Sequence, residues 1–85
     1  MNISVLTPEK ELYSGSINSI SVPGVEGKFQ VLRNHAPIVS ALAEGGVTIK
    51  RADGQFITFT IERGFIEVLN NEIALLVQGA KNFRD

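Results

Sequence analysis

The sequence has no cysteine, no tryptophan, one histidine, one methionine and three prolines among its 85 residues. Without cysteine there are no disulfides, and a single histidine leaves too few ligands for a structural zinc site. A domain of this length buries only about 60–65% of the surface its unfolded chain exposes, so its stability margin is thin. Small chains commonly supplement the core with a disulfide, a metal or a partner, and here a partner is the expected supplement. A dominant charge is also missing, with 8 Lys and Arg against 9 Asp and Glu and a formal net charge of −1. That balance excludes the basic footprint of a nucleic-acid or anionic-lipid binder. It leaves little repulsion between surfaces, which suits a resident of a complex. The longest apolar run, Ile73 to Val77, is far too short to span a bilayer. No basic N-terminal region leads into an apolar run, as a signal peptide requires. These absences are those expected of an intracellular domain without direct lipid insertion.

No stretch sustains a 3.6-residue apolar period. Ile3 and Val5 alternate with polar neighbours and predict a first strand, ended by Thr7-Pro8, with a turn over Pro8-Glu9-Lys10. Leu12-Tyr13 begin a second strand that Ser14-Gly15-Ser16 is expected to bulge or break. From Ile17 the period is two again, with Ile20 and Val22 on one side and Ser19 and Ser21 on the other. Pro23, Gly24 and Gly27 bracket Val25-Glu26 as a turn. A short strand, Lys28 to Leu32, then meets a polar corner, Arg33-Asn34-His35, closed by Ala36-Pro37. Pro37 holds Ala36 extended, so the corner does not start a helix. A hairpin-built domain places these two loops at opposite ends of one strand. Asp53-Gly54 and Asn70-Asn71 are pairs suited to type I′ hairpin turns. In all, about nine or ten short strands with turn chemistry between them predict a sandwich or flattened barrel.

The inventory for catalysis is poor. A nucleophile needs a base and the base needs an orienting group. His35 lies in a Pro-closed corner, Asp53 in a turn and Asp85 at the last position. Glu62, Glu67 and Glu72 fall near hairpin ends, where solvated glutamates are ordinary. No catalytic, cofactor-binding or metal-ligating residues are expected. Gly24 and Gly27 lack phosphate-loop spacing, and no helix follows them. His35 has two readings: a corner residue bonding its own loop, or a side chain presented to a partner on a rigid scaffold. The strands Ile38–Ala43 and Ile73–Val77 are apolar on both sides, although a sandwich needs one apolar face per strand. Either strand alone fits a barrel corner covered by loops. Both together fit an apolar face awaiting a subunit.

The residues Thr7-Pro8-Glu9, Tyr13-Ser14-Gly15, Val22-Pro23-Gly24 with Glu26-Gly27, Phe29-Gln30-Val31-Leu32 and His35-Ala36-Pro37 resemble a known family. With Gly46-Val47 and Gly64-Phe65-Ile66-Glu67-Val68 in order downstream, the chain is similar over residues 3 to 80 to the N-terminal β-sandwich of the epsilon subunit of rotary ATP synthases. The departures are Gln30, where many relatives have Gly, and Arg33-Asn34, where many have Pro-Gly. The resemblance implies an all-β, flattened sandwich of about ten strands in two antiparallel sheets, forming one domain over residues 1–85 whose last six or so residues are a tail. It implies a non-catalytic central-stalk subunit without cofactors, helping couple proton or sodium-ion translocation to ATP synthesis. The implied partners are the gamma subunit and the membrane rotor ring of c subunits, with no nucleic acid. The place is peripheral, on the cytoplasmic face of the cell membrane. The loops that the resemblance turns toward the ring are Glu26-Gly27-Lys28 and Arg33-Asn34-His35. Ile38, Val39, Leu42 and Leu76 are the candidates for the gamma interface. The inhibitory, in some bacteria ATP-binding, helix pair of the family has no counterpart within these residues. The rival expectation is a self-contained β-sandwich interaction module with an unrelated partner.

Overall fold

A computed structural model describes all residues, 1–85. The alternating segments form nine strands: β1 (Asn2–Leu6), β2 (Glu11–Gly24), β3 (Gly27–Leu32), β4 (Ile38–Leu42), β5 (Gly45–Arg51), β6 (Phe56–Ile61), β7 (Arg63–Leu69), β8 (Glu72–Gln78) and β9 (Lys81–Arg84). There is no helix. The first part of β2 pairs with β1, from Glu11↔Leu6 to Ser16↔Asn2. Its second part lies between β3 and β5, with Ile20 opposite both Val31 and Ile49. β2 therefore belongs to two layers, β2-β1-β8-β7-β4 and β3-β2-β5-β6-β9. Nine strands with one counted twice give the ten segments that the resemblance implies. A further pairing, Gly24↔Leu42, joins β2 to β4, so the sandwich is one sheet folded over.

Period-two alternation decides what is inside. β6 reads exposed–buried throughout, with Ile57, Phe59 and Ile61 inward, and β7 does the same with Ile66 and Val68. All 18 buried residues are apolar, drawn from Met1 and from β1 to β8. No titratable side chain is held away from water, which spares the core the desolvation penalty of a buried charge. Gly64 on β7 is required by close approach, since a Cβ there would run into the Leu76 carbonyl on β8.

Four local expectations are corrected. β2 runs through Ser14-Gly15-Ser16 unbroken, and its register shifts fall on either side, at Leu12 against β1 and between Ile17 and Ser19 against β5. The sheets are not wholly antiparallel, because β1 runs parallel to β8 from Asn2↔Glu72 to Leu6↔Leu76. The Asp53-Gly54 turn is not a two-residue type I′ turn. Lys50 pairs with Phe56, Arg51 N donates to the Gln55 carbonyl, and only Gly54 has positive φ (89°). That is a three-residue loop closing in a glycine bulge, with Asp53 Oδ1 accepting from Gln55 N at 3.0 Å. Lys81–Arg84, expected as tail, pairs with β6, and Phe83 stacks on Phe59 with ring centroids 5.5 Å apart. Asn70 and Asn71 behave as expected, with φ of 51° and 63° at the tip of β7–β8.

Candidate interaction site

Two loops and one outer face stand out. The β2–β3 hairpin closes at Gly24↔Gly27 around Val25-Glu26. Its base is tied to the end of β4, because Val25 N donates to the Ala41 carbonyl (3.1 Å) and Ala43 N to the Pro23 carbonyl (2.7 Å). Val25, Glu26, Gly27 and Lys28 are all exposed. The ion pairs of the protein are Arg51–Asp53 and Lys81–Glu62, so the charges of Glu26 and Lys28 are unpaired.

The Arg33–His35 corner is used up differently. His35 N donates to the Leu32 carbonyl, and Asn34 takes φ of 67°, which asparagine tolerates better than most residues. Asn34 N donates to Asn71 Oδ1 at 2.6 Å, and Asn71 Nδ2 donates back to Asn34 Oδ1 at 3.1 Å. His35 Nδ1 donates to the Ala36 carbonyl at 2.6 Å, which is the first of its two readings. The corner is locked to the β7–β8 turn, and only the exposed Arg33 is uncommitted.

The six residues expected to face the ring lie at the two ends of β3, of which Gly27 and Lys28 are the first two residues. From Lys28 to Arg33 the chain takes five extended steps, about 17 Å. The corner precedes the first residue of β4, whereas the hairpin rests on its last.

The four candidate gamma-facing residues also divide. Leu42 is core, and Ile38 is half-buried against it. Val39 and Leu76 point outward, 70% and 48% exposed. Phe65 and Leu69 of β7, 56% and 53% exposed, lie between them and were missed by sequence reasoning. The signal was present: Phe65, Glu67 and Leu69 occupy the alternate positions to the core residues Ile66 and Val68.

Register assembles these side chains into rows across the outer face. One row runs Leu6, Leu76, Phe65, Ala41, and the next runs Ser4, Ala74, Glu67, Val39. Leu69 stands opposite Glu72 in a third, and Arg63 opposite Gln78 closes the other end. Beside Phe65 and Leu76 the face dips into a cavity of about 460 Å³, rimmed by Pro8, Ala41, Arg63 and Gln78. Arg63 Nε donates to Gln78 Oε1 at 2.6 Å. Neither Arg63 nor Glu67 belongs to an ion pair.

Fold and surfaces together define a small all-β sandwich domain with one exposed apolar face. Residues 1–83 match the family model described as the ATP synthase, Delta/Epsilon chain, beta-sandwich domain. The chain belongs to that family. It is 43% identical over 76 residues to an ATP synthase epsilon chain of Leptospira borgpetersenii serovar Hardjo-bovis, an alignment covering 89% of this chain and 59% of the relative. It is equally identical, over the same 89%, to an ATP synthase epsilon chain of Chlorobaculum tepidum, of which 86% is covered. The chain thus spans under two thirds of the first relative and most of the second. Among solved structures, a chain of the Euglena gracilis mitochondrial ATP synthase (OSCP/F1/c-ring) superposes with a TM-score of 0.83. It is 19% identical and covers 93% of this chain and 51% of that one, a likeness of fold.

Proposed function

We propose that this chain is a non-catalytic central-stalk subunit of a rotary ATP synthase, peripheral on the cytoplasmic face of the membrane. It seats on gamma through the outer face of β4, β7 and β8 and helps couple ion translocation to ATP synthesis. The observation that carries this reading is that face: Val39, Phe65, Leu69 and Leu76 are exposed on a domain whose core is already complete. Apolar burial at about 25 cal/mol per Å² makes such a face worth covering. The Euglena neighbour, a chain of an OSCP/F1/c-ring assembly, supports a place in the same kind of assembly.

Of the two loops, the β2–β3 hairpin tip is the better ring contact. Its charges are unpaired, whereas the Asn34 and His35 groups are already bonded within the domain. The test is co-expression with the gamma subunit of the same complex. The expected outcome is one complex on gel filtration, abolished by Phe65→Ser with the sandwich still folded. Separate elution of wild-type chain and gamma overturns the reading.

A further inference from the structure

The outer face of β4, β7 and β8 is not uniformly apolar: Arg63 and Glu67 on β7 belong to no ion pair, and neither does Glu72, which starts β8 at the far end and accepts from Asn2 Nδ2. Arg63 and Glu67 occupy alternate exposed positions of β7 with Phe65 between them. Four strand steps put their Cα atoms about 13 Å apart. Glu67 lies within the apolar face, and Arg63 lies at its end, over the cavity. Glu67 stands between Ala74 and Val39. Arg63 closes the cavity beside Phe65 and Leu76, its guanidinium steadied by Gln78. Covering this face would desolvate both charges, and a desolvated charge without a partner is strongly unfavourable. The charges therefore specify what covers them.

Resting on the reading that this face seats gamma, we infer that gamma contacts it through an amphipathic helix with a defined charge register. That helix carries a carboxylate over Arg63, a lysine or arginine over Glu67 and a bulky apolar side chain in the cavity between. A helix suits a sheet face because its backbone is hydrogen-bonded within itself, and the face offers side chains only. At 1.5 Å per residue and 3.6 residues per turn, charged side chains seven or eight positions apart lie on one side of the helix about 11–12 Å apart, close to the separation of the two charges. The apolar anchor lies about one turn from the carboxylate, on the same side of the helix. A like-charged pair at that spacing, or a stripe without charges, leaves Arg63 or Glu67 buried and unpaired. The face thus selects its partner by charge as well as by apolar fit.

The test titrates the full chain with purified gamma at low and at high salt, using wild type, Phe65→Ser, Arg63→Glu and Glu67→Lys. All three positions are exposed, and unfolding curves of the isolated variants establish that each folds. The inference expects Arg63→Glu and Glu67→Lys each to weaken binding about tenfold or more at low salt, with a smaller loss at high salt. Phe65→Ser weakens binding at both. If Phe65→Ser abolishes binding while both charge variants bind within twofold of wild type, the charge register is wrong and the docking face stands. If Phe65→Ser binds gamma like wild type, the face itself is wrong and the inference falls with it. An isologous dimer could pair Arg63 of one copy with Glu67 of the other. Self-association of the chain without gamma, lost in either charge variant, would assign the face to a second copy and overturn the inference.

Discussion

The outer face of β4, β7 and β8 carries Val39, Phe65, Leu69 and Leu76, whereas that of β2, β5 and β6 carries Ser19, Ser21, Thr48, Lys50, Thr58 and Thr60. Both faces back onto the same apolar core through strands with the same period. Leu32 and Phe56, exposed at the two ends of one row, are the apolar exceptions on the polar side. Packing dictates the inward positions and leaves the outward ones open. A strand asks only for residues that fit a pleated surface, and threonine does that as well as valine. The polar face shows what this sandwich needs to fold. The excess on the apolar face lies beyond that need, and it raises the hazard of aggregation when left uncovered. The difference between the faces is the part of the sequence that speaks of assembly.

The strongest way to break that comparison is within one strand. Ile66→Ala removes an inward, fully buried side chain and should cost about 2–5 kcal/mol of stability. Phe65→Ala next to it should cost about 1 kcal/mol or less, since only cross-strand contact is lost. Urea unfolding of the two variants measures both, and equal losses would make Phe65 part of the core. Gly64→Ala comes next. Its new methyl meets the Leu76 carbonyl and Val77, and over-packing of this kind costs about 1–3 kcal/mol. A thermal midpoint unchanged from wild type would show that β7 and β8 can part, and that the apolar face is pliable rather than preformed.

A smaller effect contrasts the two loops. Asn34→Ala breaks one arm of the bond pair to Asn71 and should cost about 1 kcal/mol, whereas Glu26→Ala on the free hairpin should be silent within about 0.5 kcal/mol. A double-mutant cycle with Asn71→Ala measures the coupling, and an additive result would mean that the lock contributes nothing. The smallest effect is Thr58→Ala on the polar face, expected within about 0.5 kcal/mol in stability and without change in gamma binding. Weaker gamma binding by that variant would place part of the interface on the wrong side of the sandwich.

The sequence was informative where the physics is local. Alternation located the strands because one face of each is buried, and Asn70-Asn71 and Val25-Glu26 gave turns because their neighbours bracket them. The Asp53-Gly54 loop was misjudged by one residue, since the same dipeptide serves a three-residue loop when only the glycine takes positive φ. Residues 81–84 form a strand too short to show a period, held by Phe83 on a core ring, Phe59, from another part of the chain. The Asn34–Asn71 pair spans 37 positions and leaves no trace in either segment. For the exposed apolar face, reading whole strands as apolar on both sides picked out Val39 and Leu76. It also admitted the core residue Leu42, and it overlooked Phe65 and Leu69 because Glu67 between them made β7 look half polar.

The parallel pairing of β1 with β8 bears on how the protein is made. β1 finds β2 within a few residues, but its other neighbour, β8, follows much later, since Asn2 lies 70 positions before its partner Glu72. Loop-closure entropy must be met before such a distant pairing returns anything, which places domains of this kind among millisecond-to-second folders. On the ribosome, the hairpins up to β6 can form in turn while the far edge of β1 waits for β8. A ribosome stalled before Gln78 therefore holds an open, apolar strand edge, and at that stage the nascent chain is most exposed to aggregation. Within this domain, the strand made first is among the last to be sealed.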